Sequence, residues 1–440
     1  MRAMILALAM LAPAPAVQQD DRAAEADRAA MLQRLGIAAT RTGADGFDPT
    51  APNAANYDEA KAVMAGPLPP LMRLADGRIV RTASDWAIRR AEIVALFDRE
   101  IYGRVPPTAP AITWRVVREE RGRAGEVAVV RRWLEGVADN RGWPAASATL
   151  ALRLTLPAEP SAKRVAVILS FGLPDGFRFP GPPRAPDPGP SPTEQLVRAG
   201  FGHAILVANS VQADNGGELD DGVIGISLRG NARAPDDWGV LRAWAWGASR
   251  AFDALAAMPQ VDPARIGIEG LSRYGKAALV TMAYDRRFAI GFAGSSGAGG
   301  AALYRRDFGE RIGNLAAGGE YHWFAGNFLR YAAPPLSEAD LPIDSHMLIA
   351  LAAPRALFLG AGTVDTGDGW VDPKGSFLAA AAATPAWSVQ GTRGLAAAEF
   401  PPILSGVTDG WLGWRQHRGG HSNRDNWPSF IAFATARLDR

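Results

Sequence analysis

The sequence predicts an α/β fold in which a central, mostly parallel sheet is flanked by helices as a three-layer sandwich. Short, continuous apolar runs bounded by Gly or Pro recur from residue 165 onward, as expected for parallel strands buried on both faces. Segments of helical periodicity lie between these runs. The chain has 440 residues, of which 48% are hydrophobic and 21% charged, so it is long enough to bury such a sheet.

The N-terminus has the pattern of a secretory signal peptide. Arg2 precedes an apolar run that ends at Leu11 and is followed by small residues suited to cleavage. We therefore predict that residues 1–16 are a signal peptide and that the protein is periplasmic or secreted, with a buried N-terminal helix as the alternative. Residues 17–84, rich in Ala, Pro, Asp and Gly, are predicted to be a leader that wraps the catalytic domain at 85–440.

The regular elements of the domain follow in order from residue 85. Residues 85–102 carry apolar side chains at helical spacing, with Ser84 as a possible cap and Gly103 as a stop. Residues 112–156 alternate apolar and polar positions, which predicts antiparallel strands. Buried strands are predicted at 165–171, 203–208, 265–268, 288–293 and 356–359, and the clearest helix between them at 237–258.

The composition excludes several classes of function. The chain has no cysteine, so disulfides, thiolate metal sites and cysteine nucleophiles are excluded. The formal net charge is only +2 and the charges are scattered, which argues against nucleic acid as a partner. Apart from the N-terminus, no segment approaches the ~20 apolar residues needed to span a membrane.

Ser272 lies in a pattern typical of a nucleophile elbow. The heptapeptide GLSRYGK at 270–276 follows a predicted strand and precedes an apolar stretch that predicts a helix. In α/β-hydrolases this turn lifts the Ser hydroxyl above the sheet edge and aims helix N–H groups at developing negative charge. The generic pattern G-x-S-x-G is not matched, because Tyr274 takes the second Gly position. A Ser that only caps a helix is the alternative.

Several further motifs accompany the elbow in a fixed order between residues 95 and 440. They are DWG at 237–239, AWAWG at 243–247, SGAGGA at 296–301, HWF at 322–324, DSHML at 344–348, APR at 353–355 and WVDPKG at 370–375. Together with G-x-S-R-x-G-K, this set resembles the glucuronoyl esterases, carbohydrate esterase family 15. The resemblance implies an α/β-hydrolase fold and a serine esterase without metal or cofactor. The implied substrate is an ester between (4-O-methyl)glucuronic acid of xylan and a lignin alcohol.

The catalytic base is sought among five histidines. In α/β-hydrolases the base comes last in the chain, after the nucleophile and the acid. His421 follows a Gly-Gly pair that allows a loop to carry the imidazole over the elbow, and the resemblance also implies His421. His417 is the lesser candidate. Structural or pocket-lining roles are expected for the others, His203, His322 and His346.

The catalytic acid departs from the family pattern. Many glucuronoyl esterases carry a Glu directly before Ser-Gly-Ala-Gly-Gly, and the matching residue here is Ser295, which cannot supply a carboxylate. The loop after the last predicted strand offers a replacement between the nucleophile and the base in sequence. Asp368, two residues before Trp370, is the preferred candidate and Asp365 the alternative. Either could instead be a solvated turn residue.

Other site residues are expected mainly from the resemblance. The backbone N–H of Arg273 is predicted to bind the oxyanion, and the resemblance adds its guanidinium. Lys276 lies one helical turn after the nucleophile, and the resemblance implies that it binds sugar hydroxyls. Glu320 and Trp323 are sugar-binding candidates by the same resemblance, although Trp323 suits a core position equally well.

Two other functions remain open from the sequence. An acetyl-xylan or other carbohydrate esterase could use the same fold, since fold does not decide substrate. A non-catalytic carbohydrate-binding relative would explain the loss of the acid at Ser295. The protein is expected to be a monomer whose partner is glucuronoxylan or a lignin–carbohydrate ester, with no nucleic acid and no membrane.

Overall fold

The computed structural model describes residues 15–159, 164–177, 189–397 and 399–438. Its strands are β1 Ile112–Ala124, β2 Val127–Ala138, β3 Thr149–Pro157, β4 Val165–Gly172, β5 Gly202–Val207, β6 Val261–Leu271, β7 Ile290–Gly294, β8 Ala356–Gly362 and β9 Leu412–His417. Its α-helices are α1 Pro15–Leu35, α2 Ala83–Glu100, α3 Pro192–Arg198, α4 Gly222–Leu228, α5 Val240–Ala256, α6 Arg273–Tyr284, α7 Ile312–Leu315, α8 Ser345–Ala350, α9 Pro373–Ala383, α10 Pro385–Ser388 and α11 Trp427–Leu438.

The strands form one mixed sheet in the order β1-β2-β3-β5-β4-β6-β7-β8-β9. Strands β1 to β3 form antiparallel hairpins, and β3 joins β5 antiparallel. The pairings from β5 through β4 to β9 are all parallel. The predicted α/β class with a mostly parallel sheet is therefore confirmed.

Both faces of the parallel region are buried, which makes the fold three-layered. In β4, Val167 and Leu169 belong to the larger apolar core, which includes helices α5, α6, α8 and α9. Their neighbours Ala166 and Ile168 point the other way, into a second core formed with α3 and α11. Because side chains alternate across a strand, continuous apolar runs are required wherever helices cover both sides.

The strands and helices that were predicted overlap observed elements, but one cap was misplaced and several elements were missed. Helix α2 is capped by Thr82, which forms a capping box with Asp85, so the cap expected at Ser84 is wrong by two residues. The elements that were not predicted are strand β9, helix α1 and the helices α3, α4, α7, α8, α9 and α10. Nearly all of the predicted signal peptide at 1–16 lies outside the described residues. In the part of the chain that the structure describes, none of the helices has the length and hydrophobicity needed to span a bilayer.

The segment before α2 contacts the domain at several separated places. Arg28 Nε donates to the carbonyl of Ala316 at 2.9 Å, and the Tyr321 hydroxyl donates to the carbonyl of Ala24 at 2.8 Å. Further along, Glu59 forms an ion pair with Arg306 at 2.5 Å. These contacts hold the segment against the same side of the domain as the loops that follow β7 and β8.

Candidate active site

The sequence-predicted nucleophile, acid and base all follow strands at one edge of the sheet. Ser272 comes directly after β6, and Ser295 directly after β7. Asp368 lies in the loop after β8, and His421 in the loop after β9. In parallel α/β sheets the carboxyl ends of neighbouring strands meet at one edge, where binding sites form.

The turn at Ser272 has the strained backbone of a nucleophile elbow. Ser272 has φ 59° and ψ −130°, a conformation that L-residues avoid unless the surroundings impose it. A Cβ on Gly270 would lie 2.1 Å from the carbonyl oxygen of Tyr274, and a Cβ on Gly275 would lie 2.6 Å from that of Gly294. The close contact between helix α6 and the end of strand β7 therefore requires glycine at position 275. Position 274, where the generic G-x-S-x-G pattern has its second glycine, accepts Tyr274.

His421 and Asp368 form a hydrogen-bonded pair. His421 Nδ1 lies 2.7 Å from Asp368 Oδ1, and Asp368 is fully buried. The other carboxylate oxygen, Oδ2, accepts hydrogen bonds from the Gly362 N–H at 2.6 Å and from the Ser295 hydroxyl at 2.7 Å. These three contacts fix the carboxylate, so that it can orient the imidazole and stabilise its protonated form.

The two alternative residues lie elsewhere. The Asp365 side chain is 65% exposed, and its charged neighbour is Arg418 at 3.9 Å. His417 is buried at the end of β9, where its Nδ1 accepts from the Gly419 N–H at 3.0 Å and burial lowers its pKa. The structure thus brings Asp368 and His421 together and does not bring Asp365 or His417 into that pair.

The elbow and the His421 loop are joined through buried groups. The Ser272 N–H donates to the carbonyl of Gly294 at 2.9 Å, and the next residue, Ser295, contacts Asp368. Among the described residues, no hydrogen bond joins the Ser272 hydroxyl to His421. Such bonds are often long in enzymes without substrate and shorten when it binds.

A buried pair, Glu269 and Asn423, holds the His421 loop against β6. Asn423 Nδ2 donates to Glu269 Oε1 at 2.6 Å and to the carbonyl of Gly270 at 3.3 Å. A Cβ on Gly294 would lie 1.6 Å from Asn423 Oδ1, so only glycine at 294 leaves room for this amide. Burial raises the pKa of Glu269 to about 7, although hydrogen bonds from Ser170 and Asn423 oppose the rise.

Replacing Glu269 by Gln should change how stability depends on pH. In the unfolded chain this carboxyl loses its proton near pH 4.5, whereas in the folded protein it keeps the proton until about pH 7. The folded state therefore binds more protons within that window, and the free energy of unfolding falls as the pH rises through it. Glu269→Gln should abolish about 2–3 kcal/mol of this fall between pH 5 and pH 8, as measured by urea unfolding at both values. An unchanged difference between the two pH values would contradict this prediction.

Arg273, the predicted oxyanion residue, is the first residue of α6. Its Nη1 donates to Asp214 at 2.6 Å, and its guanidinium lies 5.2 Å from the centre of the Trp323 ring. Asp214 also accepts from His322 Nε2 at 3.1 Å and from Trp323 Nε1 at 2.6 Å. Burial would raise the pKa of Asp214, but these partners lower it to about 2, so it stays charged beside Arg273.

Trp323 occupies the core position that the sequence left open as its alternative, and Lys276 has a buried charged partner. Trp323 is only 3% exposed and its N–H is bound to Asp214, so its ring is packed in the core and is not presented to a sugar. The Lys276 side chain is 4% exposed, and its amine donates to Glu310 at 2.7 Å and to the carbonyl of Ala298. A sugar contact at Lys276 stays a prediction, since a third N–H of its amine is left.

A cavity of about 580 Å³ opens beside the loop that carries Asp368. Glu320 lines it, and burial raises the pKa of this carboxyl to about 8, as does the nearby charge of Glu310. Phe47, Tyr57 and Trp370 give the cavity an aromatic lining. Asp214, Glu310 and Tyr57 were not predicted from the sequence, because each lies in an irregular segment without periodicity or a motif of its own.

Comparison with known proteins gives consistent matches. The family described as "Glucuronyl esterase, fungi" matches residues 233–391. Carbohydrate esterase MZ0003, from an unknown prokaryotic organism, is 30% identical over 420 residues, which cover 87% of this chain and 92% of the relative. The 4-O-methyl-glucuronoyl methylesterase of Cerrena unicolor is 29% identical over 342 residues, 76% of this chain and 62% of that protein.

Solved structures show the same similarity. A glucuronoyl esterase of carbohydrate esterase family 15 from Teredinibacter turnerae is 42% identical, with a TM-score of 0.88 over 94% of this chain and 100% of that one. A glucuronoyl esterase from Solibacter usitatus is 33% identical, with a TM-score of 0.75 over 86% of this chain and 100% of that one.

Proposed function

This chain belongs to carbohydrate esterase family 15, the glucuronoyl esterases, and from that premise we propose that it hydrolyses esters of glucuronic acid with a Ser272–His421–Asp368 triad. The observation that carries the triad is the 2.7 Å contact of His421 Nδ1 with the buried Asp368 carboxylate at the sheet edge where the elbow lies. The proposed substrate is the 4-O-methyl-glucuronoyl ester that links xylan to a lignin alcohol.

The proposed reaction passes through an acyl-enzyme. Ser272 Oγ attacks the ester carbonyl carbon while His421 Nε2 accepts the hydroxyl proton. The tetrahedral intermediate then breaks the bond to the alcohol oxygen, which takes the proton from His421 as it leaves. Water next attacks the acyl carbon by the same route, giving its proton to His421, and Ser272 leaves with that proton. The Asp368 carboxylate holds the imidazole and stabilises its positive charge.

Arg273 is proposed to stabilise the oxyanion in both steps. Its backbone N–H opens helix α6 directly after the nucleophile, where an N–H without a helical partner is available. Its side chain is 47% exposed and tethered by Asp214 through Nη1, which leaves other guanidinium N–H groups for the developing charge. Charge stabilised only in the transition state raises kcat.

Release of glucuronic acid from benzyl glucuronate by the purified protein tests the proposed reaction. Acetylated xylan serves as the competing substrate in the same experiment. Glucuronate release well above acetate release is expected. Preferential deacetylation would favour an acetyl-xylan esterase, and a folded protein that hydrolyses neither ester would favour a carbohydrate-binding relative.

Export of this enzyme is part of the proposal. The pattern at residues 1–16 supports a signal peptide that directs the protein to the periplasm or outside the cell, where plant polysaccharide is met. We propose that the mature enzyme acts as a monomer. Mass spectrometry of the exported protein would locate the cleavage site.

A further inference from the structure

We propose that residues 43–57 of the leader, with Phe47 at their tip, form a subsite that binds the xylose ring next to the glucuronate. This inference rests on the proposed function. It extends the substrate site from the glucuronate half of the ester along the xylan chain. The subsite belongs to the cavity beside the Asp368 loop and is made by a part of the chain outside the sheet and its helices.

Hydrogen bonds hold the leader segment against the domain. Asn314 binds Ala44 through both ends of its amide, accepting from the N–H at 3.0 Å and donating to the carbonyl at 2.8 Å. Asp45 N–H donates to the carbonyl of Asn53 at 2.8 Å, and the Asn56 amide donates to the carbonyl of Asp307 at 2.9 Å. Two of these leader residues are bonded to the segment after β7, and one bond closes the leader segment on itself. Together the bonds fix the conformation of residues 43–57.

The segment also lies directly on the catalytic loop. A Cβ on Gly46 would lie 2.7 Å from the Trp370 ring, and a Cβ on Gly369 would lie 2.9 Å from the Tyr57 ring. Both glycines are therefore close-contact positions between the leader and the residues immediately after Asp368. A ligand bound against this segment would lie next to the proposed acid.

This hydrogen-bonded loop presents Phe47 to solvent. Its side chain is fully exposed, and its N–H donates to Asp45 Oδ1 at 2.8 Å, which sets the turn. Covering an exposed aromatic ring with a ligand removes apolar surface from water and so favours binding. A pyranose ring supplies a suitable surface, because its faces carry C–H groups and its rim carries hydroxyls.

Glu320 supplies the polar half of the subsite. One of its carboxyl oxygens, Oε2, is buried and has no hydrogen-bond partner among the described residues. A carboxyl that stays protonated at neutral pH can both donate to and accept from a sugar hydroxyl, and the raised pKa of Glu320 permits this. Aromatic faces beside a buried carboxyl suit a pyranose, because its rim carries several hydroxyls, whereas a lignin ring carries fewer polar groups.

The test compares two esters. One is benzyl glucuronate, and the other is the benzyl ester of a xylo-oligosaccharide that carries glucuronate. Phe47→Ala should raise KM for the oligosaccharide about fivefold and leave its kcat within about twofold, since stacking contributes to binding alone. The same variant should leave both constants for benzyl glucuronate unchanged, because this ester has no xylose. Phe47→Trp should restore the native KM.

Ile88→Ala is the matched control, since Ile88 is a 48% exposed apolar side chain on α2 that does not line the cavity. The proposal is overturned if Phe47→Ala changes both esters equally or changes neither. It is also overturned if the variant discriminates benzyl from methyl glucuronate, because Phe47 would then contact the alcohol. Failure of the native protein to hydrolyse benzyl glucuronate would instead reject the proposed function.

Discussion

Ser272→Ala should lower kcat/KM on benzyl glucuronate by at least ~10⁴-fold. The substitution removes the only atom that forms the acyl-enzyme bond, while the oxyanion donors and the binding groups remain. The side chain is small and partly exposed, and its N–H bond to Gly294 belongs to the backbone, so folding should be unaffected. Initial rates with the native enzyme and the variant measure the loss directly.

Binding provides the control for this variant. The Ser272→Ala protein should retain affinity for the uncleaved ester within about threefold, measured by calorimetry, because uniform binding does not depend on the nucleophile. Residual activity within tenfold of the native rate would show that another residue, or water alone, attacks the carbonyl. The proposed mechanism could not survive that result.

Asp368→Asn should lower kcat about 10³–10⁴-fold. An amide at this position can donate to His421 Nδ1, which would fix the imidazole in the tautomer that cannot accept the Ser272 proton. The positive imidazole would also lose the buried charge that stabilises it. Measured kcat should fall far more than KM rises, because the interaction acts in the transition state.

Asp365→Asn is the matched control on the same loop. Asp365 is exposed and pairs only loosely with Arg418. The kcat of the Asp365→Asn variant should therefore stay within about twofold of the native value. A large loss in Asp365→Asn together with a mild loss in Asp368→Asn would reverse the assignment of the acid. Equal and mild effects in both would mean that His421 works without either carboxylate.

Much of the fold could be predicted because burial on both faces leaves a continuous apolar signal. Strands β4 to β8 all carry it, and each prediction overlaps the observed strand. Strand β9 lacks it, because Arg415 and Gln416 interrupt the run and are accommodated only by tertiary partners. The apolar residues of helix α1 are mostly alanines, and among its described side chains Ala24, Met31 and Leu32 are buried in the core, which is too sparse a pattern to predict from the sequence.

The candidate site could likewise be predicted where it depends on residues close in sequence, and could not where it depends on contacts between distant segments. The elbow could be predicted because its backbone strain demands glycines close in sequence to Ser272. The Asp214 cluster could not, because it is assembled from the loop after β5, the start of α6 and the turn at Trp323. Core packing of Trp323 could be stated only as one of two alternatives, since a Trp beside polar residues looks the same in sequence whether it binds a sugar or packs in a core.

The 2.7 Å contact between the Ser295 hydroxyl and Asp368 bears on how such a site can evolve. Ser295, the position at which the family resemblance implies a Glu, lies within one hydrogen bond of Asp368, the proposed catalytic acid. An ancestor with acids at both positions would hold two carboxyls sharing one proton, and one of them would remain ionised. Because both positions lie in one hydrogen-bonded cluster, an acid on the loop after β7 could be exchanged for one on the loop after β8 by successive single substitutions.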